Sequence, residues 1–323
     1  MLKVGFIGAG TVGTALAVGF YQAGCPVVAV SSRSFSSAQK LAGLVADCRA
    51  YQTAQEVADA AELVFITTPD DAILEIASEI KWHSGQNVIH CSGVHSVDIL
   101  EPARRLGANV GSFHPLQTLA TVDEAINNMP GSTFALEAEE PLLTRLKELC
   151  SSLNGKWVEL KPGDKVLYHV AAVFVSNYLV TLVNAALNLW QDFGVPPGEA
   201  TKSLLPLLKG TINNMENIGL PDCLTGPIAR GDLSTISKHI NALEAKNSSL
   251  LTMYKGLGFQ TIPVALAKGT IDKDRAQELK TLFSTTEPFT FCHSEGAKRP
   301  KNLAQGGLHE RVKGFRDSSL RSE

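Results

Sequence analysis

At 323 residues, the chain is long enough for about two domains. Apolar residues make up 44% and charged residues 19%, the balance of an ordinary soluble globular protein. A net charge of −3 excludes the basic footprint of a nucleic-acid binder.

The opening, MLKVGFIGAG, has no basic n-region and no cleavage pattern, so a cytoplasmic protein is expected. Leu2–Gly8 reads as an apolar strand and Val12–Ala23 as a helix, with a second strand at Val27–Ser31. Ser36-x-x-Gln39 and Thr53-x-x-Glu56 have the spacing of capping boxes that open two helices. Leu63–Thr67, Val88–Ser92 and Val110–His114 are short apolar runs of the kind found in buried parallel strands. Phe134–Leu136 and Trp157–Leu160 continue the series. Strands alternating with helices predict an α/β fold, a Rossmann-type doubly wound parallel sheet. From about Lys161 to Phe283 the pattern is helical, broken by Gly and Pro turns. The expected domains are therefore 1–161, 162–287 and a tail, 288–323. Between His293 and Glu323 the tail holds seven Lys/Arg and four acids, a balance of +3, and reads as disordered. Six cysteines lie apart, with no C-x-x-C pair and no zinc spacing, so reduced thiols and no metal site are expected.

The first strand runs into G-x-G-x-x-G at Gly8, Gly10 and Gly13, and the motif opens a helix. Gly8 suits a tight turn, Gly10 a close approach of backbone to a pyrophosphate, and Gly13 helix–strand packing. The N–H groups of Thr11 and Val12 would face the anion. An NAD site usually places an acid about 20 residues further on. Here the stretch is Ser31-Ser32-Arg33-Ser34. A carboxylate would repel a 2′-phosphate, whereas Arg33 and Ser32 can bind one, so NADP(H) is the expected cofactor.

Thr68 and Pro69 follow the Leu63–Thr67 run, at the carboxyl end of the sheet where ligands of open α/β folds lie. Asp70 reads as a helix cap. Ser92 and His114 are candidate substrate contacts, with a loop-stabilising role as the alternative for each. His90, inside a strand, reads as a core histidine. Lys165–Trp190 carries no formal charge after Lys165, and its length would span a bilayer. At about 100° per residue, however, Lys165, Ser176, His169, Asn184, Asn177 and Asn188 fall within an arc of about 140°. The expectation is a soluble core helix whose polar edge faces a reaction chamber, with no membrane span. Lys165 and His169 are four residues apart on one face, and either side chain can supply a proton.

The motifs FIGAGTVG, SFHPLQT, YHVAAVFVSNYLV, LLKGTINN and LTGPIARGD, in that order, resemble the Rossmann-like proteins carrying the domain of unknown function 2520. The resemblance covers about residues 1–285. It implies a second, all-helical domain of the 6-phosphogluconate-dehydrogenase C-terminal type. It also implies kinship with ketopantoate reductase, pyrroline-5-carboxylate reductase and 3-hydroxyisobutyrate dehydrogenase. Several of those enzymes keep a Lys and an Asn four residues apart on the first long helix of the second domain. Lys165 matches the lysine, His169 stands where the asparagine would be, and Asn177 lies two turns further on. Together these readings predict an NADPH-dependent reductase of a small 2-oxo acid, of the ketopantoate class. Lys165 or His169 would donate the proton, and Asn177 and His114 would orient the substrate. Arg230, in TGPIARGD, would clamp a substrate carboxylate, or would simply belong to a turn capped by Asp232. An imine reductase and a non-catalytic NADP-binding sensor are the alternatives. A homodimer through the helical domain is expected, because so apolar a helix needs more cover than one small domain gives.

Overall fold

A computed structural model describes residues 2–246 and 248–284 of the chain. The expected disordered tail and Cys292 lie outside the described residues. The first half runs β1 (Val4–Ile7), α1 (Thr11–Gln22), β2 (Val27–Ser31), α2 (Phe35–Ala42), β3 (Arg49–Tyr51), α3 (Ala54–Ala60), β4 (Leu63–Ile66). It continues with α4 (Ile73–Glu79), β5 (Asn87–His90), α5 (Glu101–Arg105), β6 (Asn109–Leu116), α6 (Val122–Asn128), β7 (Thr133–Ala138), α7 (Leu142–Ser152) and β8 (Lys156–Glu159). Six helices follow: α8 (Lys165–Val175), α9 (Asn177–Gln191), α10 (Pro197–Asn217), α11 (Leu233–Glu244), α12 (Ser248–Lys268) and α13 (Lys273–Phe283).

All eight strands form one sheet in the order β3-β2-β1-β4-β5-β6-β7-β8. The chain reverses direction across the sheet between β1 and β4, which places ligand crevices at the carboxyl ends of those strands. The expected all-parallel sheet needs one correction, because β6 and β7 pair antiparallel. β6 also outruns β5: their ladder ends at His90 opposite Ser112, and from Phe113 onward β6 pairs with β7 alone. Each sheet face is buried under helices. One face holds a run of aromatic rings, Phe6, Phe65, Phe113 and Phe134, with successive centroids 5.4, 5.7 and 4.6 Å apart. The other is aliphatic, centred on Ile66, Val64, Val88 and Leu100.

The Thr53–Glu56 capping box forms, with each side chain bonded to the other residue's backbone N–H. The one expected at Ser36–Gln39 does not. α2 starts two residues earlier, after Ser34, and no side chain caps it. β3 has no counterpart in the sequence reading, since three residues are too few for a period-2 pattern.

The chain divides into two compact units, 1–203 and 204–323, and the division falls inside α10. The long apolar stretch belongs to the first unit and departs from expectation twice. It is two helices rather than one, broken at Ser176 (φ −111°, ψ −73°). It is also not a core helix in the single chain: Lys165 is the one buried residue of α8, and α9 has none among its described residues. Leu167, Val175 and Val180 are 74%, 74% and 70% exposed. By length and composition, 165–191 could cross a membrane, with a mean hydropathy of 1.8. Its first turn, however, is held to the sheet by polar bonds.

In the second unit α11, α12 and α13 pack around Ile236, Ile262, Leu279 and Phe283. Asp232 caps α11 by accepting from the Thr235 N–H at 3.0 Å, and Asp272 caps α13 by accepting from the Arg275 N–H at 2.8 Å.

Candidate active site

Two clefts lie along the carboxyl ends of the strands in the first unit. The first, about 540 Å³, is lined by Gly8, Gly10, Ser32, Arg33, Thr68 and Pro69, among others. Gly8 has φ +114°, and a Cβ there would come within 2.7 Å of the Thr67 backbone, so only glycine makes this turn. The Thr67 hydroxyl donates to the Gly8 carbonyl at 2.8 Å and ties the loop to β4. A Cβ at Gly13 would collide with the Thr67 side chain. A Cβ at Gly10 would meet nothing within 4 Å and would instead fill the cleft. No side chain caps α1, so the N–H groups of Thr11, Val12 and Gly13 remain a ready anion seat. At the far rim Arg33 is exposed and makes no ion pair among the described residues. No carboxylate lines this cleft, and the buried Thr68 hydroxyl has no partner among the described residues. The donor set suits a ligand with a diphosphate and a further phosphate.

The second cleft, about 440 Å³, brings together His114, His169 and Asn177, with Gln117, Thr118 and Ser176. Its floor is polar by register. Ser112 and His114 are two apart on β6 and share a face, while Phe113 between them enters the aromatic core. Opposite them, Lys165, Tyr168 and His169 share a face of α8 at i, i+3 and i+4. The Lys165 ammonium donates to the Ser92 carbonyl at 2.6 Å and to the Ser112 hydroxyl. The lysine is 1% exposed. Burial pulls it down to about 8, against the attraction of Glu137, Cys91 and Asp70. The Tyr168 hydroxyl lies 2.8 Å from His114 Nδ1, and the His114 and His169 rings stand edge to face at 6.4 Å. Burial first, then the charges of Lys165 and His169, hold His114 down at about 3, so its ring is neutral.

The segment after β5 is anchored at both ends. The Ser92 hydroxyl donates to Asp70 at 2.8 Å and accepts from the Val94 and His95 N–H groups at 3.2 and 3.1 Å. These three bonds occupy the Ser92 hydroxyl within the protein, which favours its loop-stabilising role. The cap reading of Asp70 is replaced. Pro69 is the cap of the short 3-10 turn, and the Asp70 carboxylate holds Ser92. At the other end of the segment, Glu137 accepts from the Ser96 hydroxyl and the Val97 N–H at 2.8 and 3.2 Å. Between these anchors sits Gly93. A Cβ on it would lie 2.7 Å from His169 and 2.8 Å from His114 Nε2. His90 is buried in β5 and its Nδ1 accepts from the Ser92 N–H at 3.1 Å, but its Nε2 is buried with no partner among the described residues, so it is a core histidine satisfied at one nitrogen only.

Sequence reasoning missed Gly93, Ser112, Tyr168 and Glu137. Ser112 and Tyr168 stand inside the motifs SFHPLQT and YHVAAVFVSNYLV, and the i, i+3 spacing of Tyr168 from Lys165 was an available signal. Arg230 lies in the second unit, exposed, in the turn before the Asp232 cap. The Asp232 cap of its turn reading forms, with the Thr235 N–H donating at 3.0 Å.

The chain carries a Rossmann-like domain over residues 1–115, followed by a domain of unknown function, DUF2520, over 132–261. Among curated proteins none matches. Solved structures do. A Bacteroides fragilis protein assigned as an NADP oxidoreductase is 24% identical at a TM-score of 0.65, over 83% of this chain and 97% of that one. A reductive aminase from Aspergillus terreus, in complex with NADPH and ethyl-5-oxohexanoate, is 18% identical at 0.59, over 87% and 98%. A Plasmodium falciparum pyrroline carboxylate reductase with NADP bound is 14% identical at 0.55, over 88% and 98%. The fold is that of these NADP oxidoreductases.

Proposed function

We propose that this chain is an NADPH-dependent reductase of a small 2-oxo acid, ketopantoate-like in class, working in the cytoplasm as a homodimer. The observation that carries the reading is the first cleft. Its glycine loop, uncapped helix start and acid-free Arg33 rim offer phosphate-binding groups at both ends. In this reading Gly8, Gly10, Thr11, Val12 and Gly13 hold the pyrophosphate. Ser32 and Arg33 take the 2′-phosphate, and Thr68 and Pro69 lie against the nicotinamide. The cofactor, when bound, supplies a hydride.

The second cleft supplies the rest. His169 lines it and is the proton donor to the developing oxyanion, while His114 and Asn177 orient the substrate. Lys165 is covered and already holds two acceptors, so it acts as a fixed positive charge behind the loop. The exposed apolar faces of α8 and α9 are the surface on which a second copy packs. An imine substrate is the second reading, and the names of the reductive aminase and the pyrroline carboxylate reductase favour it.

Two measurements test the proposal. The protein should bind NADPH more tightly than NADH, and Arg33→Ala should remove about 1–3 kcal/mol of that difference without changing NADH affinity. Equal affinity of the wild type for both cofactors overturns the cofactor assignment. A screen of 2-oxo acids and cyclic imines, followed by NADPH absorbance, decides between the two substrates. Tight NADPH binding with no turnover on either class leaves the sensor alternative standing.

A further inference from the structure

We infer that Tyr168 is a positioning residue that fixes His114 with its hydrogen on Nε2, and that the second cleft consequently takes a ligand presenting an oxygen acceptor, a carbonyl or carboxylate, to that N–H. The ligand half rests on the reductase reading above. The tautomer half does not.

The argument is one of hydrogens. The Tyr168 hydroxyl and His114 Nδ1 are 2.8 Å apart, so one of them donates to the other. A phenol has a single hydrogen. Among the described residues the Tyr168 hydroxyl has no other acceptor. If Nδ1 were the donor, the phenolic oxygen of this half-buried ring would have to accept, and it is a weaker acceptor than an imidazole nitrogen, while the phenolic hydrogen would have no protein partner among the described residues. Tyr168 therefore donates and Nδ1 accepts. A neutral imidazole carries one hydrogen, and it must then sit on Nε2. The ring is neutral because the titratable groups that face it, Lys165 and His169 from α8, oppose a further positive charge and burial adds to their effect. Burial also raises the Tyr168 phenol above its ordinary value, so it keeps its hydrogen.

The geometry gives that Nε2–H an outlet. The missing side chain of Gly93 is the space beside it, since a Cβ there would stand 2.8 Å from Nε2. Nε2 is not among the buried atoms left without a hydrogen-bond partner, and the ring borders the cleft shared with His169 and Asn177. A donor-only edge at this position binds an oxygen lone pair and repels an N–H or an ammonium. His114 thus favours a lone-pair acceptor such as a carbonyl or carboxylate oxygen over a cation while its ring is neutral.

The test begins with long-range proton–nitrogen spectra of the full chain, labelled in histidine. The expected result for His114 is a bare Nδ1 and a protonated Nε2, unchanged down to about pH 5. A hydrogen on Nδ1, or titration near the ordinary 6.5, overturns the inference. The second step measures binding of oxamate, a 2-oxo acid mimic, to NADPH-loaded protein. Tyr168→Phe should weaken oxamate about 5–10-fold, the loss of about one hydrogen bond, and leave NADPH affinity unchanged. His114→Gln carries an amide N–H near the Nε2 position. It should retain oxamate binding and be indifferent to the added Tyr168→Phe. Equal sensitivity to Tyr168→Phe in both backgrounds, or none in the wild type, overturns the positioning role. Correct spectra without oxamate binding would sink the ligand half alone. Oxamate binding without turnover of any 2-oxo acid would sink only the reductase reading.

Discussion

α1 and α8 both begin at a cleft and both are rich in apolar residues, yet they treat that apolar surface in opposite ways. In α1 eight successive residues, Gly13 to Phe20, are buried. In α8 one residue is buried, and it is the lysine. α1 is held by packing and reaches its ligand through backbone N–H groups. α8 is held to the sheet by an ammonium, a phenol and an imidazole, and its apolar residues stay exposed. Apolar composition therefore predicts that a surface will be covered, but not that the same chain covers it.

Replacing the buried cation breaks the contrast most directly. Lys165→Met keeps the length of the side chain and removes its charge. Turnover should fall about 100-fold, as when a fixed transition-state charge is lost. Stability at neutral pH should change by about 1 kcal/mol or less, because relief of a desolvated charge is offset by the loss of its hydrogen bonds to the Ser92 carbonyl and the Ser112 hydroxyl. The pH dependence has a defined sign. Burial lowers Lys165 from 10.5 to about 8, so between those values the folded state binds fewer protons than the unfolded. Wild-type stability should rise with pH across that window relative to Lys165→Met, as read from thermal melts. A flat difference would mean the lysine is not buried as described.

Gly93→Ala sharpens the contrast at the second cleft. The added methyl meets two imidazoles, so it should cost about 1–3 kcal/mol in substrate-side binding or stability and spare NADPH affinity. Unchanged KM and kcat with the productive substrate would show that the space beside Gly93 is not used. The smallest effect belongs to the exposed face. Leu167→Glu and Val180→Glu should change the stability of an isolated chain by about 0.5 kcal/mol or less. They should still shift sedimentation from dimer to monomer. A wild type that sediments as a monomer removes the second copy as the cover for α8 and α9.

The parts that could be read from the sequence are those decided locally. The glycine loop, the Thr53–Glu56 box and the strand runs each depend on residues within one turn or one strand. The break at Ser176 escaped the pattern because the apolar run continues on both sides of it with no Gly or Pro to mark a stop. The roles of Ser92 and Asp70 escaped because their bond spans 22 positions and exists only where β4 and β5 end side by side. Tyr168 was hidden by its apolar neighbours, which made it look like one more ring on a greasy helix. Lys165, His169, Asn177 and His114 were picked out by residue type. The second cleft gathers His169, Asn177 and His114, while Lys165 sits behind the Ser92 loop.

The overhang of β6 beyond β5 has a consequence for how this chain can change over time. His114 stands on the part of β6 whose alignment is set by β7 alone, opposite Ala135. Side chains alternate along a strand, so adding or deleting one residue between Gly111 and His114 would swing the imidazole into the phenylalanine layer and bring Phe113 out toward α8. Within that four-residue stretch the spacing is fixed, and a frameshift of even one position would empty the second cleft of its ring while leaving the sheet intact.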